Sequence, residues 1–370
     1  MANPPPRYSK PRVFVQSVES MTYSLNDRRR QRLSTIPRVF RNDYRDFTED
    51  KVKEKSIISP GNDPLITQSL HVHYVILPPG ARDKGHGHQN EAFFYILEGR
   101  GFDMHDGLRY DWETGDAVAV HNDSVHWHNN TDPERRAVAL VMKAKPTWLL
   151  LGLHQQGPLG TRPPLEDTRW GPAIEFPIIR APEDETLKKV IKPKDTPWRV
   201  TPHGRIRLLA DASVPLRVKA VDVHLQEIPA GSRSGKQWQM ADEVFYVLEG
   251  RGYDLHWDVE VEITDKYYAR IALEPTRWEW QKGDTVYIPH NSIHQHFNTD
   301  PDKPAMGCQY RRRSSPIGVP GPTCVSRSFS SLLSTLSASW PQTICPPPHS
   351  RQARVEPPYL ALDCTTTWEY

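Results

Sequence analysis

The sequence repeats itself, and this repeat limits how the chain can fold more than any other feature. Residues 72–105 read VHYVILPPGARDKGHGHQNEAFFYILEGRGFDMH, and residues 223–256 read VHLQEIPAGSRSGKQWQMADEVFYVLEGRGYDLH. A second pair of blocks follows in the same order: GDAVAVHNDSVHWHNNTDP from Gly115 and GDTVYIPHNSIHQHFNTDP from Gly283. An ordered repeat of this length predicts two tandem domains that share one fold.

The two copies differ in length at one place. Gly99 and Gly250 are separated by 151 residues, whereas Gly115 and Gly283 are separated by 168. The second copy therefore carries 17 additional residues between its two blocks, around 259–275.

Each copy contains short runs of β-branched and aromatic residues bounded by turn residues. The runs at 93–97 and 244–248 are closed by a Gly-x-Gly turn, and those at 117–120 and 285–288 follow a Gly-Asp turn. Short strands at regular spacing with turns between them are typical of sandwiches and barrels. We therefore predict an all-β protein.

Charge and hydropathy exclude several classes of partner. The formal net charge is +2, with 47 Lys and Arg against 45 Asp and Glu, so no electrostatic argument favours nucleic acid. The most apolar stretch, 137–153, is interrupted by Lys143, Lys145 and Pro146, and no membrane helix is expected. The first residues, MANPPPRYSKPRVF, place charge and proline where a signal peptide has an apolar core. We expect a cytoplasmic protein that binds neither nucleic acid nor membrane.

The repeat and the composition together predict five segments. These are an N-terminal arm at 1–55, a first domain at 56–150, a linker at 151–200, a second domain at 201–310 and a tail at 311–370. The tail has 9 Pro, 10 Ser and no Lys, and we expect it to be disordered. A shifted reading frame is one explanation of its composition.

Histidine is concentrated in the first copy, where 8 of the 16 histidines lie between residues 71 and 128. His86 and His88 are two residues apart, so on a strand both side chains point to the same face. His126, from a later strand, would complete one face of an octahedron and leave positions for substrate and dioxygen, as in the facial triads of non-haem iron. The spacing predicts a metal site formed by His86, His88 and His126.

The paired blocks resemble the two motifs of the cupin superfamily, G-x5-HxH-x3-E-x6-G and G-x5-PxG-x2-H-x3-N. The resemblance covers roughly residues 60–145 and 205–310, and both motifs occur in order in each copy. It implies a bicupin, with two tandem jelly-roll β-barrels and the metal inside a barrel.

The first copy departs from this pattern at the glutamate position. Seven residues before Gly99 the sequence has Ala92, and Glu91 comes one residue early. Glu91 should face away if the strand is regular, although a local bulge would bring it to the metal. Without a carboxylate ligand, three neutral histidines leave the charge of a divalent ion intact. Such a site would attract an anionic, bidentate substrate such as an ortho-hydroxy carboxylate.

A three-histidine site with alanine at the glutamate position resembles gentisate 1,2-dioxygenase and its relatives that act on hydroxynaphthoate and salicylate. This resemblance implies an Fe(II)-dependent dioxygenase of aromatic compound catabolism. The substrates would be a hydroxylated aromatic carboxylic acid and dioxygen, and the ring would be cleaved with both oxygen atoms incorporated. Mn, Ni and Zn are the alternative metals. The family further implies a homo-oligomer, a dimer or a tetramer.

The second copy lacks the histidine pair. Gln237 and Gln239 stand at the positions of His86 and His88, whereas Glu243 fills the glutamate position and His294 matches His126. Amide oxygens are poor ligands for transition metals beside imidazole, so we predict a degenerate site. A weak Gln/Glu/His site is the alternative.

Two further residues of the first copy are candidates for catalysis. His128 shares a strand face with His126 and would carry a proton or contact substrate, or else make a structural hydrogen bond at the rim, as its counterpart His296 suggests. Arg82 would grip a substrate carboxylate, or else form a structural ion pair, as the repeated Arg233 suggests.

Four other residues of the first copy, one histidine and three aromatics, also have structural explanations. His73 recurs as His224 in the copy without the histidine pair, so a shared structural hydrogen bond is expected. Phe93, Tyr95 and Trp127 are either pocket-lining or ordinary barrel core.

Two other functional classes stay open beside the dioxygenase. One is a metal-dependent non-redox cupin enzyme, such as an isomerase or a decarboxylase. The other is a small-molecule-binding bicupin without catalysis.

Overall fold

A computed structural model describes residues 37–158 and 188–312, except residues 42, 48–50, 60–68, 123, 155, 202, 212, 213, 215, 217, 240, 264, 266 and 291. The described residues form 23 strands, one short α-helix and two 3-10 helices. They build two barrels from two sheets each, as the repeat predicts.

The first barrel joins a six-stranded sheet to a five-stranded sheet. The six-stranded sheet has the order β12-β8-β5-β10-β3-β2, and the five-stranded sheet has the order β11-β4-β9-β6-β7. The strands span β2 Lys53–Ile58, β3 His71–Leu77, β4 His86–His88, β5 Ala92–Glu98, β6 Arg100–His105, β7 Leu108–Glu113, β8 Ala117–Val120, β9 Val125–Asn130, β10 Ala137–Lys143, β11 Gln156–Pro158 and β12 Val190–Ile191. Helix α1, Lys145–Leu150, follows β10 directly.

The second barrel joins a seven-stranded sheet, in the order β1-β21-β17-β23-β15-β14-β13, to a smaller sheet in the order β16-β22-β18-β19, with β20 paired to β18. The bounds are β1 Val39–Arg41, β13 Trp198–Thr201, β14 Gly204–Ala210, β15 Val221–Ile228, β16 Gln237–Gln239, β17 Glu243–Glu249, β18 Arg251–Ile263, β19 Tyr267–Ile271, β20 Thr276–Gln281, β21 Asp284–Ile288, β22 Ser292–Asn298 and β23 Ala305–Arg312. The 3-10 helices span Tyr44–Asp46 and Pro193–Asp195.

Side chains alternate between the two faces of each strand, and this alternation divides the buried apolar residues into three clusters. In β10, Ala139 and Val141 face the interior of the first barrel, whereas Leu140 and Met142 face the other way. The outward-facing residues join those of the second barrel in one continuous core between the two large sheets. Each barrel therefore buries both faces of its large sheet, which explains why β10 is apolar throughout except at Lys143.

The described parts of the predicted arm and linker contribute strands to the barrels. β1 pairs with β21 of the second barrel, and β11 and β12 pair with β4 and β8 of the first. β13 lies at the edge of the second barrel's large sheet. The five predicted segment boundaries stay a prediction, and residues 1–36 of the predicted arm lie outside the described residues.

The additional residues of the second copy lie in a hairpin. β18 continues past the end of its partner β22 and pairs with β19, from Val259 opposite Ile271 to Ile263 opposite Tyr267. The first copy instead turns at Asp106 and Gly107, both with positive φ, between β6 and β7. The extra hairpin therefore extends the barrel's strands without changing their pairing.

The last described strand is central to the second barrel. β23 pairs with both β15 and β17 and ends at Arg312, so the first two residues of the predicted tail belong to this strand. Residues 313–370, including the predicted disorder, lie outside the described residues. No helix in the described part of the chain is long and apolar enough to cross a membrane.

Candidate metal centre

Three histidines converge in the interior of the first barrel. His86 and His88 lie on β4, and His126 lies on β9 directly opposite His86. The ring centroid of His126 is 4.4 Å from that of His86 and 4.8 Å from that of His88. One ring nitrogen from each of the three lies within 4.8 Å of the other two. The structure thus brings together the three residues that the sequence spacing selects.

The donor set of this cluster fits a divalent transition metal. The Nε2 atoms of His86, His88 and His126 are buried and lack a hydrogen-bond partner among the described residues. Nδ1 of His126 lies 3.0 Å from the carbonyl oxygen of Ser124, which fixes the tautomer so that Nε2 keeps its lone pair. Buried imidazole nitrogens without partners are costly unless something binds them, and a metal ion satisfies all three at once.

Burial keeps these histidines neutral, as metal ligation requires. Burial lowers the pKa of His86 to about 4 and that of His88 to about 3, and the nearby Lys143 ammonium adds to both effects. Burial and the neighbouring His128 hold the pKa of His126 well below its usual range.

Among the described residues, no carboxylate joins the three histidines. β5 begins at Ala92, a buried residue whose side chain faces the barrel interior at the position of the motif glutamate. Glu91 lies on the opposite side, where its Oε2 accepts hydrogen bonds from the backbone N–H groups of Lys219 and Ala220, at 2.8 and 2.7 Å. The strand is regular here, so the local bulge that would turn Glu91 towards the metal does not occur.

His128 belongs to a buried polar pair that occurs in both barrels. Its Nδ1 lies 2.8 Å from Oδ1 of Asp103, and the same carboxylate oxygen accepts a hydrogen bond from Trp112 Nε1 at 2.7 Å. Burial acts to lower the pKa of His128, but the Asp103 carboxylate outweighs this effect and raises the pKa above its usual value. His128 lies in the barrel core rather than at the rim.

The second barrel repeats this pair. His296 Nδ1 lies 2.8 Å from Asp254, which also accepts a hydrogen bond from Trp280. The barrel without a histidine pair keeps the arrangement, which favours the structural explanation of His128 over a catalytic one.

Arg82 lies on the outer surface of the first barrel, which gives no support to its predicted contact with a substrate carboxylate. Its side chain is exposed, and its guanidinium lies 4.7 Å from the ring centroid of Trp127. Trp127 alternates with His126 and His128 on β9 and therefore faces out of the barrel. Arg82 forms no ion pair with any described residue, and the contact that the structure gives it is the cation–π contact with Trp127.

The predicted pocket-lining aromatics also face other surfaces. Phe93 and Tyr95 belong to the core between the two barrels. Their neighbour Phe94 faces the interior instead, with its ring 4.7 Å from that of His128.

The hydrogen bond expected to be common to His73 and His224 occurs only in the second barrel. His224 Nε2 lies 2.8 Å from Gln309 Oε1. His73 is 1% exposed, and neither ring nitrogen has a hydrogen-bond partner among the described residues. Its ring stacks on that of His71 at 4.6 Å.

Three interior residues were missed by sequence reasoning: His71, His105 and Lys143. His105 lies opposite His126, with ring centroids 5.9 Å apart, and its Nε2 is 3.4 Å from Asp103. Lys143 is 5% exposed, and burial lowers its pKa to about 8. Strand parity would have identified all three, because each shares the inward face of its strand with apolar or histidine neighbours.

The second barrel has a different arrangement. Glu243 occupies the glutamate position, 3.3 Å from His294 Nε2, and Gln309 donates a hydrogen bond to its carboxylate. Gln237 lies opposite His294 where the first barrel has His86. Glu243, His294 and His296 cluster closely enough to hold a metal. Only Nδ1 of His296 is paired with Asp254, and its Nε2 has no hydrogen-bond partner among the described residues, so a weak Gln/Glu/His site stays the alternative to a degenerate one.

Two family models match the chain, one in each barrel. The cupin domain model matches residues 73–143, and the auxin binding protein model matches residues 202–306. No curated protein matches the chain by sequence.

Solved structures match both barrels together. Oxalate decarboxylase from Bacillus subtilis at pH 4.6 is 16% identical, with a TM-score of 0.51 over 75% of this chain and 77% of that one. Salicylate 1,2-dioxygenase from Pseudaminobacter salicylatoxidans is 14% identical, with a TM-score of 0.51 over 71% of this chain and 76% of that one. The chain has the fold of a bicupin, and its first barrel matches the cupin domain. At these identities the likeness shows the fold alone. A further matching structure of the same decarboxylase concerns its Mn(II) centres.

Among the described residues, this bicupin has its complete histidine cluster in the first barrel only. The three converging nitrogens of that barrel form a candidate metal site.

Proposed function

We propose that this bicupin is an Fe(II)-dependent dioxygenase that cleaves the ring of a hydroxylated aromatic carboxylic acid. His86, His88 and His126 would hold the metal in the first barrel. The observation that carries the proposal is the absence of a carboxylate from this cluster: Ala92 occupies the glutamate position, and Glu91 binds the backbone of the second barrel.

The charge of the cluster favours an anionic chelating substrate. Three neutral imidazoles leave the +2 charge of the ion uncompensated, so a substrate with a carboxylate beside a hydroxyl group would be drawn to it. Iron in such a site supplies open coordination positions and electron transfer between an electron-rich ring and dioxygen. Mn, Ni and Zn would bind the same nitrogens but suit this chemistry less well.

The surrounding residues would orient the ligands and keep water out. Ser124 fixes the His126 ring through Nδ1, and Asp103 orients His105 and His128 behind it. Phe94 and Val141 close the barrel interior on the apolar side. These residues hold the imidazoles in one geometry, which lowers the cost of rearrangement when substrate binds.

A non-redox metal enzyme such as a decarboxylase is the alternative. The similar oxalate decarboxylase structures are compatible with it, but Ala92 leaves the cluster without the carboxylate that the family motif would supply. A binding protein without catalysis has no specific observation in its favour.

Oxygen consumption tests the proposal. Protein produced anaerobically and loaded with Fe(II) is mixed with gentisate, salicylate or 1-hydroxy-2-naphthoate in air-saturated buffer. Uptake of one O2 per substrate consumed, with both atoms recovered in a ring-opened product by mass spectrometry after ¹⁸O2 labelling, is expected for at least one acid. Bound iron without oxygen uptake on any of these acids would contradict the dioxygenase assignment and favour non-redox chemistry.

A further inference from the structure

Lys143 lies inside the first barrel next to the three-histidine cluster. It continues the inward-facing row of Ala139 and Val141 at the end of β10. On β10 it is directly opposite His71 of one neighbouring strand and Ala92 of the other. Residues directly opposite in a sheet share a face with Cβ atoms about 5 Å apart, so the lysine stem starts beside the empty glutamate position.

The lysine has no carboxylate partner inside the barrel. It is 5% exposed, and no described residue forms an ion pair or a hydrogen bond with its side chain. The anionic neighbour that acts on it electrostatically is Glu54, whose carboxylate is 59% exposed and lies 4.0 Å from His73. A buried ammonium without a close counter-ion is costly, and such groups occur mainly where a ligand supplies the missing charge.

The neighbouring histidines extend this polar surface. His73 is almost fully buried and has no hydrogen-bond partner for either ring nitrogen, and Nδ1 of His71 also has none among the described residues. Their stacked rings lie on the same inward face of β3. An imidazole N–H beside an ammonium provides two donors for one carboxylate.

The second barrel differs from the first at the positions of Lys143 and Ala92. At the corresponding positions it has Glu243 directly opposite Arg311. The first barrel keeps the cation as Lys143 but has Ala92 in place of the carboxylate. In the first barrel, a cationic side chain therefore lies opposite an alanine where the second barrel has a carboxylate.

We infer that Lys143, together with His73 and His71, forms a subsite that binds the carboxylate of an anionic substrate beside the metal. The inference rests on the proposed function for the position of the metal. It adds that the acid group is recognised by this chain's own lysine as well as by metal charge. Lys143 would be a specificity-determining residue, because a neutral analogue leaves its ammonium unpaired.

Direct binding to the Fe(II)-loaded protein under anaerobic conditions tests the inference without turnover. Dissociation constants are measured by calorimetry for salicylate and for salicylamide, which keeps the ring and hydroxyl group but lacks the anionic carboxylate. Lys143→Met should weaken salicylate binding about 10- to 100-fold, since a charge-assisted hydrogen bond is lost, and should leave salicylamide binding and iron content nearly unchanged. Lys143→Arg should keep most of the salicylate affinity.

Arg311→Met provides the matched control, because Arg311 has the same register position in the second barrel. It should leave salicylate binding unchanged. Equal weakening of both ligands in Lys143→Met, or no weakening of salicylate, would overturn the inference. Salicylate binding that depends on Lys143 in a protein without oxygen uptake would contradict the dioxygenase proposal alone. Oxygen uptake with an unaffected Lys143→Met would contradict the subsite alone.

Discussion

At the residue scale, neighbouring positions in this protein have opposite roles. Ala92 faces the three histidines, whereas Glu91 faces the second barrel and accepts two backbone hydrogen bonds. Sequence spacing predicted that the three histidines would converge, and they do, because two lie on one short strand and the third lies on a strand paired with it. It could not decide between a regular strand and a bulge at Glu91, since that depends on the loop at Lys219 and Ala220 from the other barrel.

Glu91→Gln tests this orientation. The substitution keeps the shape but removes the charge that strengthens two hydrogen bonds, so the free energy of unfolding should fall by about 1–3 kcal/mol while iron content stays unchanged. Urea denaturation and metal analysis on the same samples measure both. Glu249→Gln, at an exposed pair with Lys282, is the control and should cost less than about 1 kcal/mol. Loss of iron in Glu91→Gln would mean that this carboxylate is a ligand after all.

Lys143 shows a second limit of sequence reasoning at this scale. In the sequence it interrupts an apolar stretch and is easily taken for a surface residue. Its burial follows from strand parity along β10, where it shares the inward face with Ala139 and Val141, but its charge disguises this pattern in the sequence. Arg82 shows the reverse, because a motif-neighbouring arginine lies outside the barrel on Trp127.

At the element scale, a buried aspartate joins three strands of the small sheet in each barrel. Asp103 on β6 binds His128 on β9 and Trp112 on β7, and Asp254 on β18 binds His296 on β22 and Trp280 on β20. One carboxylate thus links three adjacent strands. Close approach of these strands also requires Gly101, because a Cβ there would lie 1.9 Å from the carbonyl oxygen of Asn129.

Asp103→Asn and Asp254→Asn should therefore destabilise the protein alike. Each leaves a buried imidazole without its anionic partner, and the expected loss is about 3–5 kcal/mol of unfolding free energy. Asp111→Asn, at an exposed pair with Arg109, is the control with a loss below about 1 kcal/mol. A large loss for Asp103→Asn beside a negligible one for Asp254→Asn would show that the pair serves the first site rather than the fold.

At the scale of the whole molecule, the repeat predicted two barrels, and the structure adds how they are joined. The outer faces of the two large sheets form one apolar core, in which the hydroxyl of Tyr74 donates to that of Tyr246 at 3.2 Å. Alternation alone could not predict this, because apolar residues on both faces of a strand do not identify the partner surface. The strands contributed by the arm and linker were missed because they are only two to four residues long.

The division of labour between the barrels is the central claim at this scale. In the first barrel the Nε2 atoms of three converging imidazoles lack hydrogen-bond partners among the described residues. The second barrel has Gln237 at the position of His86, and its Glu243 accepts a hydrogen bond from Gln309. Both barrels contribute equally to the shared core. The second barrel would therefore stabilise the fold and leave metal chemistry to the first.

Iron content of purified protein tests this claim most directly. Wild-type protein, His126→Ala and His294→Ala are produced under the same anaerobic Fe(II) conditions, and iron per folded chain is measured by plasma emission spectrometry. We predict about one iron in the wild type and in His294→Ala, and nearly complete loss in His126→Ala, because removing one of three imidazole ligands opens the site. Iron retained in His126→Ala, or lost in His294→Ala, would contradict the assignment of the metal to the first barrel.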